Sequence, residues 1–186
     1  MADSFTLLVI CTGNICRSPA AALMLAAGFG PDSGVTVRSA GTGAREGAVI
    51  DEYSAQLLRQ DGIDPSGHRA HWLTAADVEQ ADVVIGLTRE HRSAAVALAP
   101  SAVRRSFTLR GLADLAGRVN PQDLGSEAGI AARIRALVAA APRYRRRVLD
   151  EDIEDPYGRD LDVYRSVHAE ITAAAAALVA AVRPSD

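Results

Sequence analysis

The segment FTLLVICTGNICRSPAAALML (5–25) narrows the choice of fold more than any other stretch of the chain. Phe5 to Ile10 is a continuous apolar, β-rich run, and a run with no polar alternation is the pattern of a strand buried on both faces of a parallel sheet. Pro19 suits the first turn of a helix, and AAALMLAAGF supplies good helix formers up to a stop near Gly28 and Gly30. The order is strand, loop, helix. In parallel sheets that order puts the loop beyond the carboxyl end of the strand, at a helix N-terminus, where anions bind.

The alternation continues. VTVRSAG reads as a second strand ending in glycine, followed by a helix across YSAQLLRQDGI that closes at Gly62. ADVVIGLT (81–88) is a third strand, REHRSAAVAL a third helix, and SFTL (106–109) a short fourth strand before RGLADLAG. Residues 126–149 predict a long helix ending in the basic run RYRRR (143–147), interrupted or kinked at Pro142. Acidic DEDIED (150–155) leads to a turn at Pro156, Tyr157 and Gly158. The last helix carries Val163, Val167, Ile171, Ala174 and Leu178 on one apolar face. Strands alternating with helices predict an α/β fold, a doubly wound parallel sheet. At 186 residues the expectation is one domain, 1–186, with 118–150 an extended helical segment within it.

If the loop CTGNICRS curls over the first helix, its backbone N–H groups converge on one point. Gly13 and Asn14 tolerate the left-handed angles such a curl needs. Arg17 adds a planar fork that holds two phosphate oxygens. A tetrahedral dianion fits that description. Cys11 ends the strand under the same positive field, which favours its thiolate, and a thiolate beneath a bound phosphate is a nucleophile aimed at phosphorus. Ser18 is close enough in sequence to donate to that sulfur. The departing oxygen needs a proton, and Asp155 in DEDIEDPYG is the leading general acid, with Pro156 restraining the turn and the Tyr157 ring expected to bury it in protonated form.

Composition excludes several classes. A formal charge of −3 gives no reason to expect a nucleic-acid partner. Two cysteines five residues apart cannot frame a disulfide-rich secreted fold. FTLLVI lacks a basic lead-in and is too short for a secretion signal, and ITAAAAALVAAV falls short of the roughly 18 residues of a membrane span. The expectation is a cytoplasmic protein with no membrane span. No CxxC pair or histidine cluster suggests zinc, and His68, His71, His91 and His168 are read as surface or packed residues. GTGAREG imitates a dinucleotide fingerprint with its third glycine one place late. VLDEDI imitates a magnesium aspartate pair without the partners, and RYRRR–DEDIED is most simply a solvated, charge-compensated stretch, with a docking patch for an acidic partner as the alternative.

CTGNICRSP (11–19), SAGT (39–42) and DPY (155–157) together resemble the low-molecular-weight protein tyrosine phosphatases. The resemblance implies a single-domain, flavodoxin-like sheet of four parallel strands in the order 2-1-3-4, flanked by helices. It implies Cys11 as nucleophile, Arg17 as phosphate clamp and Asp155 as general acid and base. The phosphate loop would be Thr12, Gly13, Asn14, Ile15, Cys16 and Ser18, with Ser39 behind Asn14, Tyr157 on the cleft wall, and Cys16 able to pair with the nucleophile. It implies no metal and no cofactor, and a phosphotyrosine protein or small aryl phosphate as substrate; nothing in it fixes the oligomeric state. Ile15 stands where members acting on phosphoarginine carry threonine. Many members carry a cleft-lining tryptophan after SAGT, whereas this chain reads GAREGAV, and Gly158 replaces a second aromatic. Ala21 and Ala22 stand where a glutamate is frequent in the helix. The alternatives are a protein-arginine phosphatase or arsenate reductase on the same fold, or a non-catalytic phosphate-binding regulatory module.

Overall fold

The computed structural model describes residues 5–125, 129–144 and 150–184. β1 (Phe5–Cys11) leads through the loop into α1 (Arg17–Phe29), followed by β2 (Val35–Gly41), α2 (Glu52–Gln60), α3 (Ala75–Gln80) and β3 (Val83–Gly86). Then come α4 (Arg89–Leu98), a 3₁₀ turn Pro100–Arg105, β4 (Ser106–Thr108), α5 (Leu109–Ala116), a second 3₁₀ turn Pro121–Leu124, α6 (Ile130–Tyr144) and α7 (Leu161–Val182). The four strands are parallel, in the order β2-β1-β3-β4. β1 is central, with Val9 opposite Ser39 on one side and Ile85 on the other.

The absence of polar alternation in β1 has a direct cause. Leu7, Val9 and Cys11 enter a core shared with α1, α5 and α7, while Leu8 and Ile10 enter a second core with Leu73, Val78, Val84 and Ala95. Successive side chains of a strand point to opposite faces, and here both faces are covered. Each fully buried Leu or Ile contributes about 1.5–3 kcal/mol, so β1 anchors the sheet from both sides. At Gly28, α1 and α7 approach so closely that a Cβ would lie 2.6 Å from Val179 Cγ2.

Several sequence expectations need correction. α3 was not anticipated, although its Thr74–Asp77 capping box is a readable N-terminal signature. Both 3₁₀ turns were also missed. The long helix expected over 126–149 is α6, Ile130–Tyr144, with Pro142 in its last turn rather than at a mid-helix kink. Residues 126–128 and 145–149 of that expectation, including the end of RYRRR and the start of VLDEDI, lie outside the described residues. α7, at 22 residues and mean hydropathy 1.3, has the length and composition to cross a membrane, which the shorter apolar window had excluded. In this fold it places Val167, Ile171, Leu178 and Val182 in the core.

Candidate active site

The loop after β1 is shaped by its own side chains. Asn14 sits at φ 52°, in the left-handed region that asparagine tolerates better than most residues. Its Nδ2 donates to Ser18 Oγ and to Ser39 Oγ, both at 2.9 Å, and its Oδ1 accepts from the His71 backbone N–H at 2.9 Å. His68 Nε2 donates to its carbonyl at 2.7 Å. Gly41, closing β2, passes so near that a Cβ there would collide with the Thr12 carbonyl oxygen and come 3.0 Å from Asn14 Cβ. Only glycine lets the two strand ends meet here.

Cys11 Sγ is met from two sides, by Ser18 Oγ at 2.9 Å and by the Asn14 N–H at 3.3 Å. The helix beyond it is open to an anion. α2, α3, α4, α5 and α7 each begin at a residue whose side chain accepts from a first-turn amide: Asp51, Thr74, Thr88, Thr108 and Asp160. α1 begins at Cys16 with no side-chain cap and no acid in its first turn, leaving its terminal N–H groups and positive dipole end unanswered.

Arg17, only 4% exposed, lies at the same mouth. Its Nη1 donates to the Ile153 carbonyl at 3.2 Å and its Nη2 pairs with Asp155 Oδ2 at 2.5 Å. Its Nε is buried and has no hydrogen-bond partner among the described residues. A buried charged donor left unpaired is costly, and an oxyanion in the loop is the group that would relieve it. Asp155 reaches this point from a strap, residues 150–155, laid across the carboxyl ends of β3 and β4. Ile153 N donates to Leu87 O at 2.9 Å, Thr108 Oγ1 donates to Glu151 Oε2 at 2.9 Å, and Arg110 pairs with Asp150 at 3.0 Å. Asp152 accepts the Arg89 N–H at 2.7 Å and its guanidinium at 2.9 Å, and that guanidinium holds the Asp152 carboxyl below the usual carboxylate range.

A cavity of about 710 Å³ opens above the loop, lined by Cys11, Ile15 and Arg17 on its floor and by Arg45, Val49, Asp155 and Tyr157 on its walls. Thr12, Gly13 and Cys16 also reach it, whereas Asn14, Ser18 and Ser39 stand behind. Two sequence expectations change. Asp155 is not buried beside the Tyr157 ring: its side chain is 49% exposed and Tyr157 is more exposed still, so the charge near Asp155 is Arg17, not an apolar wall. The Thr12 hydroxyl turns away to His91 Nε2 at 2.9 Å, so any phosphate contact from Thr12 is through its backbone.

Sequence reasoning missed three histidines that brace the loop. His91 is buried, with Nδ1 2.8 Å from Thr88 Oγ1; burial, and then the Arg17 charge, push its pKa down to about 4. His68 and His71 meet Asn14 as described above. The Thr88-x-x-His91 spacing marks a helix start, but nothing local ties His91 to Thr12. Cys16 is buried with Leu57 and Tyr164, its Sγ 3.7 Å from the Tyr164 hydroxyl, and burial pushes its thiol up to about 12. Both cysteines are free. Among the described residues no group of three or more His, Cys, Asp or Glu could hold a metal ion.

The model of the low molecular weight phosphotyrosine protein phosphatase family matches residues 6–120, a span that ends before the strap. A probable low molecular weight protein-tyrosine-phosphatase of Ralstonia solanacearum is 35% identical over 142 residues, 75% of this chain and 96% of that protein. The arginine phosphatase structure from Geobacillus stearothermophilus superposes with a TM-score of 0.68 at 28% identity, over 95% of this chain and 91% of its own. A low molecular weight protein tyrosine phosphatase from T. tengcongensis does so with a TM-score of 0.68 at 28% identity, over 95% and 99%. Strand order, loop and likeness agree, and the chain belongs to the low molecular weight phosphotyrosine protein phosphatase family.

Proposed function

We propose that this chain hydrolyses phosphotyrosine in proteins, and small aryl phosphates, through a cysteinyl-phosphate intermediate. The observation that carries this reading is the Cys11 sulfur held by Ser18 and Asn14 beside a buried Arg17 whose Nε has no partner among the described residues. The phosphoryl oxygens take the α1 amides and the Arg17 fork. The Cys11 thiolate attacks phosphorus, the P–O bond to the aryl group breaks, and Asp155 gives its proton to the leaving oxygen. Water then attacks the phosphocysteine while Asp155 takes a proton from it; the P–S bond breaks, and Ser18 Oγ donates to the returning thiolate. The Arg17–Asp155 ion pair has a role in this sequence. An entering dianion competes for the guanidinium and displaces the carboxyl toward the bridging oxygen.

Asn14, with Ser39 from β2, holds the curl, Thr12, Gly13, Ile15 and Cys16 surround the phosphate, and Ser18 supports the Cys11 sulfur from behind. Ile15 on the cavity floor offers an aryl ring an apolar contact and offers a guanidinium no hydroxyl, which favours phosphotyrosine over the phosphoarginine of the Geobacillus relative. An arsenate reductase relaying a disulfide needs a cysteine downstream of Cys16, and the sequence has none. The proposal takes 1–186 as one catalytic domain acting on phosphoproteins in the cytoplasm.

The test is hydrolysis of p-nitrophenyl phosphate by wild type and by Cys11→Ser, Arg17→Ala and Asp155→Asn, with a panel of phosphotyrosine, phosphoarginine and phosphoserine peptides. Loss of turnover in all three variants and preference for phosphotyrosine support the reading. Equal turnover in all four proteins ends it, and anion binding without a phosphoenzyme burst selects the non-catalytic module.

A further inference from the structure

The wall of the cleft differs from the aromatic one that the resemblance implies. After β2 the chain reads Gly43-Ala44-Arg45-Glu46-Gly47-Ala48-Val49, and the wall residues are Arg45, Glu46 and Val49 where many members carry a tryptophan. The two charged side chains are not equivalent. Both Glu46 carboxylate oxygens have a partner: Oε2 accepts the Trp72 N–H at 2.7 Å and Oε1 meets His71 Nδ1 at 3.2 Å. These contacts, the Trp72 N–H first, hold its carboxyl below the usual range. Arg45 is exposed and lines the cavity, and its guanidinium makes no hydrogen bond or ion pair with any described residue. The cavity's other arginine, Arg17, is already paired with Asp155.

The backbone beneath Arg45 is fixed. Gly47 N donates to Ala70 O at 2.8 Å, Ala70 N returns to Ala48 O at 2.8 Å, and Ala48 N closes a turn on Arg45 O at 3.0 Å. The Glu46 carboxylate ties the same turn to Trp72. So the guanidinium stands on a rigid support at the rim of a cavity larger than a phosphoryl group requires. A planar fork of donors in that position pairs with a carboxylate, which a tryptophan cannot do.

Resting on the phosphotyrosine reading above, we propose that Arg45 forms a subsite for an acidic residue flanking the phosphotyrosine, so that the enzyme selects phosphopeptides with Asp or Glu beside the phosphorylated side chain. The protein's overall charge is −3, so the selection comes from this local cation rather than from the field of the whole molecule.

The test uses two phosphotyrosine peptides that differ only in flanking Asp/Glu against Asn/Gln, with p-nitrophenyl phosphate as the unflanked reference, on wild type, Arg45→Ala and Arg45→Glu. An exposed charge pair corresponds to about a 1.5-fold to fivefold advantage in kcat/KM for the acidic peptide in wild type, shrinking as salt is raised. That ratio falls to about one in Arg45→Ala and below one in Arg45→Glu, as removal and then inversion of the charge require. Turnover of p-nitrophenyl phosphate with no acidic preference in wild type, or a preference that survives in Arg45→Ala, overturns the subsite and leaves the catalytic reading standing. No turnover of any of the three substrates by wild type overturns both.

Discussion

Asn14 is the residue on which the shape of the phosphate loop turns, and replacing it with alanine separates two physical effects. Alanine at φ 52° carries the cost of the left-handed region, about 1–2 kcal/mol for a residue with an ordinary Cβ. It also removes the bonds to Ser18, Ser39 and the His71 N–H, each worth about 0.5–1.5 kcal/mol net, and leaves the buried Ser18 hydroxyl short of a donor. The sum is a loss of roughly 3–5 kcal/mol. For a chain of this size that is a fall in Tm of about 10 °C. Asn14→Gly loses the same side-chain bonds but keeps the backbone angle, so it should retain about 1 kcal/mol more stability than Asn14→Ala even though glycine loosens the unfolded chain. Urea unfolding followed by far-UV circular dichroism gives both numbers, and p-nitrophenyl phosphate turnover should fall in both variants. If Asn14→Gly is no more stable than Asn14→Ala, or if Asn14→Ala lies within 1 kcal/mol of wild type, the left-handed wiring of the loop is refuted.

The other predictions concern groups around the same loop. His91 is buried with a pKa near 4, against about 6.5 in the unfolded chain. The unfolded state therefore binds the extra proton first: the stability linked to neutral His91 is complete above about pH 6.5 and is lost as pH falls toward 4, by up to about 3 kcal/mol. Wild type should accordingly lose more stability than His91→Gln across that window; parallel pH curves would contradict the assignment. Asp152→Asn or Arg89→Ala should free the strap that carries Asp155 and lower kcat about threefold to tenfold, more on alkyl than on nitrophenyl phosphates, while the exposed pair itself moves Tm little. A loss independent of the leaving group would detach the pair from proton delivery. Cys16, buried and with its thiol pushed up to about 12, should stay unalkylated by iodoacetamide at pH 7.5 in the native protein, whereas Cys11 at the cavity floor is modified. Peptide mass mapping that finds the two labelled equally would mean that the Cys16–Tyr164 packing is wrong.

Much of this protein was legible because its signals are local. The apolar run Phe5–Ile10, the glycine and asparagine of the following loop, Pro19 in the first turn of α1, and the periodic face of α7 each specify their own element, and short-range sterics and burial decide them. The strand–loop–helix order placed Cys11 and Arg17 at one helix mouth, and the structure brings Asp155 of the DPY turn to the same cavity. Local signals were also missed where they were short: the six-residue α3 carries a capping box but too few apolar positions to register as a period.

The amino-acid sequence alone determined the alternating architecture and the loop that sets Cys11 and Arg17 at the start of α1, because each of these is encoded within a few residues of itself. Only the tertiary structure decided that Arg17 reaches the Ile153 carbonyl across 136 positions, that Thr12 turns to His91 across 79, that Asp155 stands half in solvent on an arginine rather than buried against a ring, and that the Arg45 guanidinium stands on the cleft wall with no partner among the described residues. Those pairings arise where the ends of parallel strands and their loops converge, and which ends converge is set by strand order and packing, for which no periodicity along the chain carries a signal.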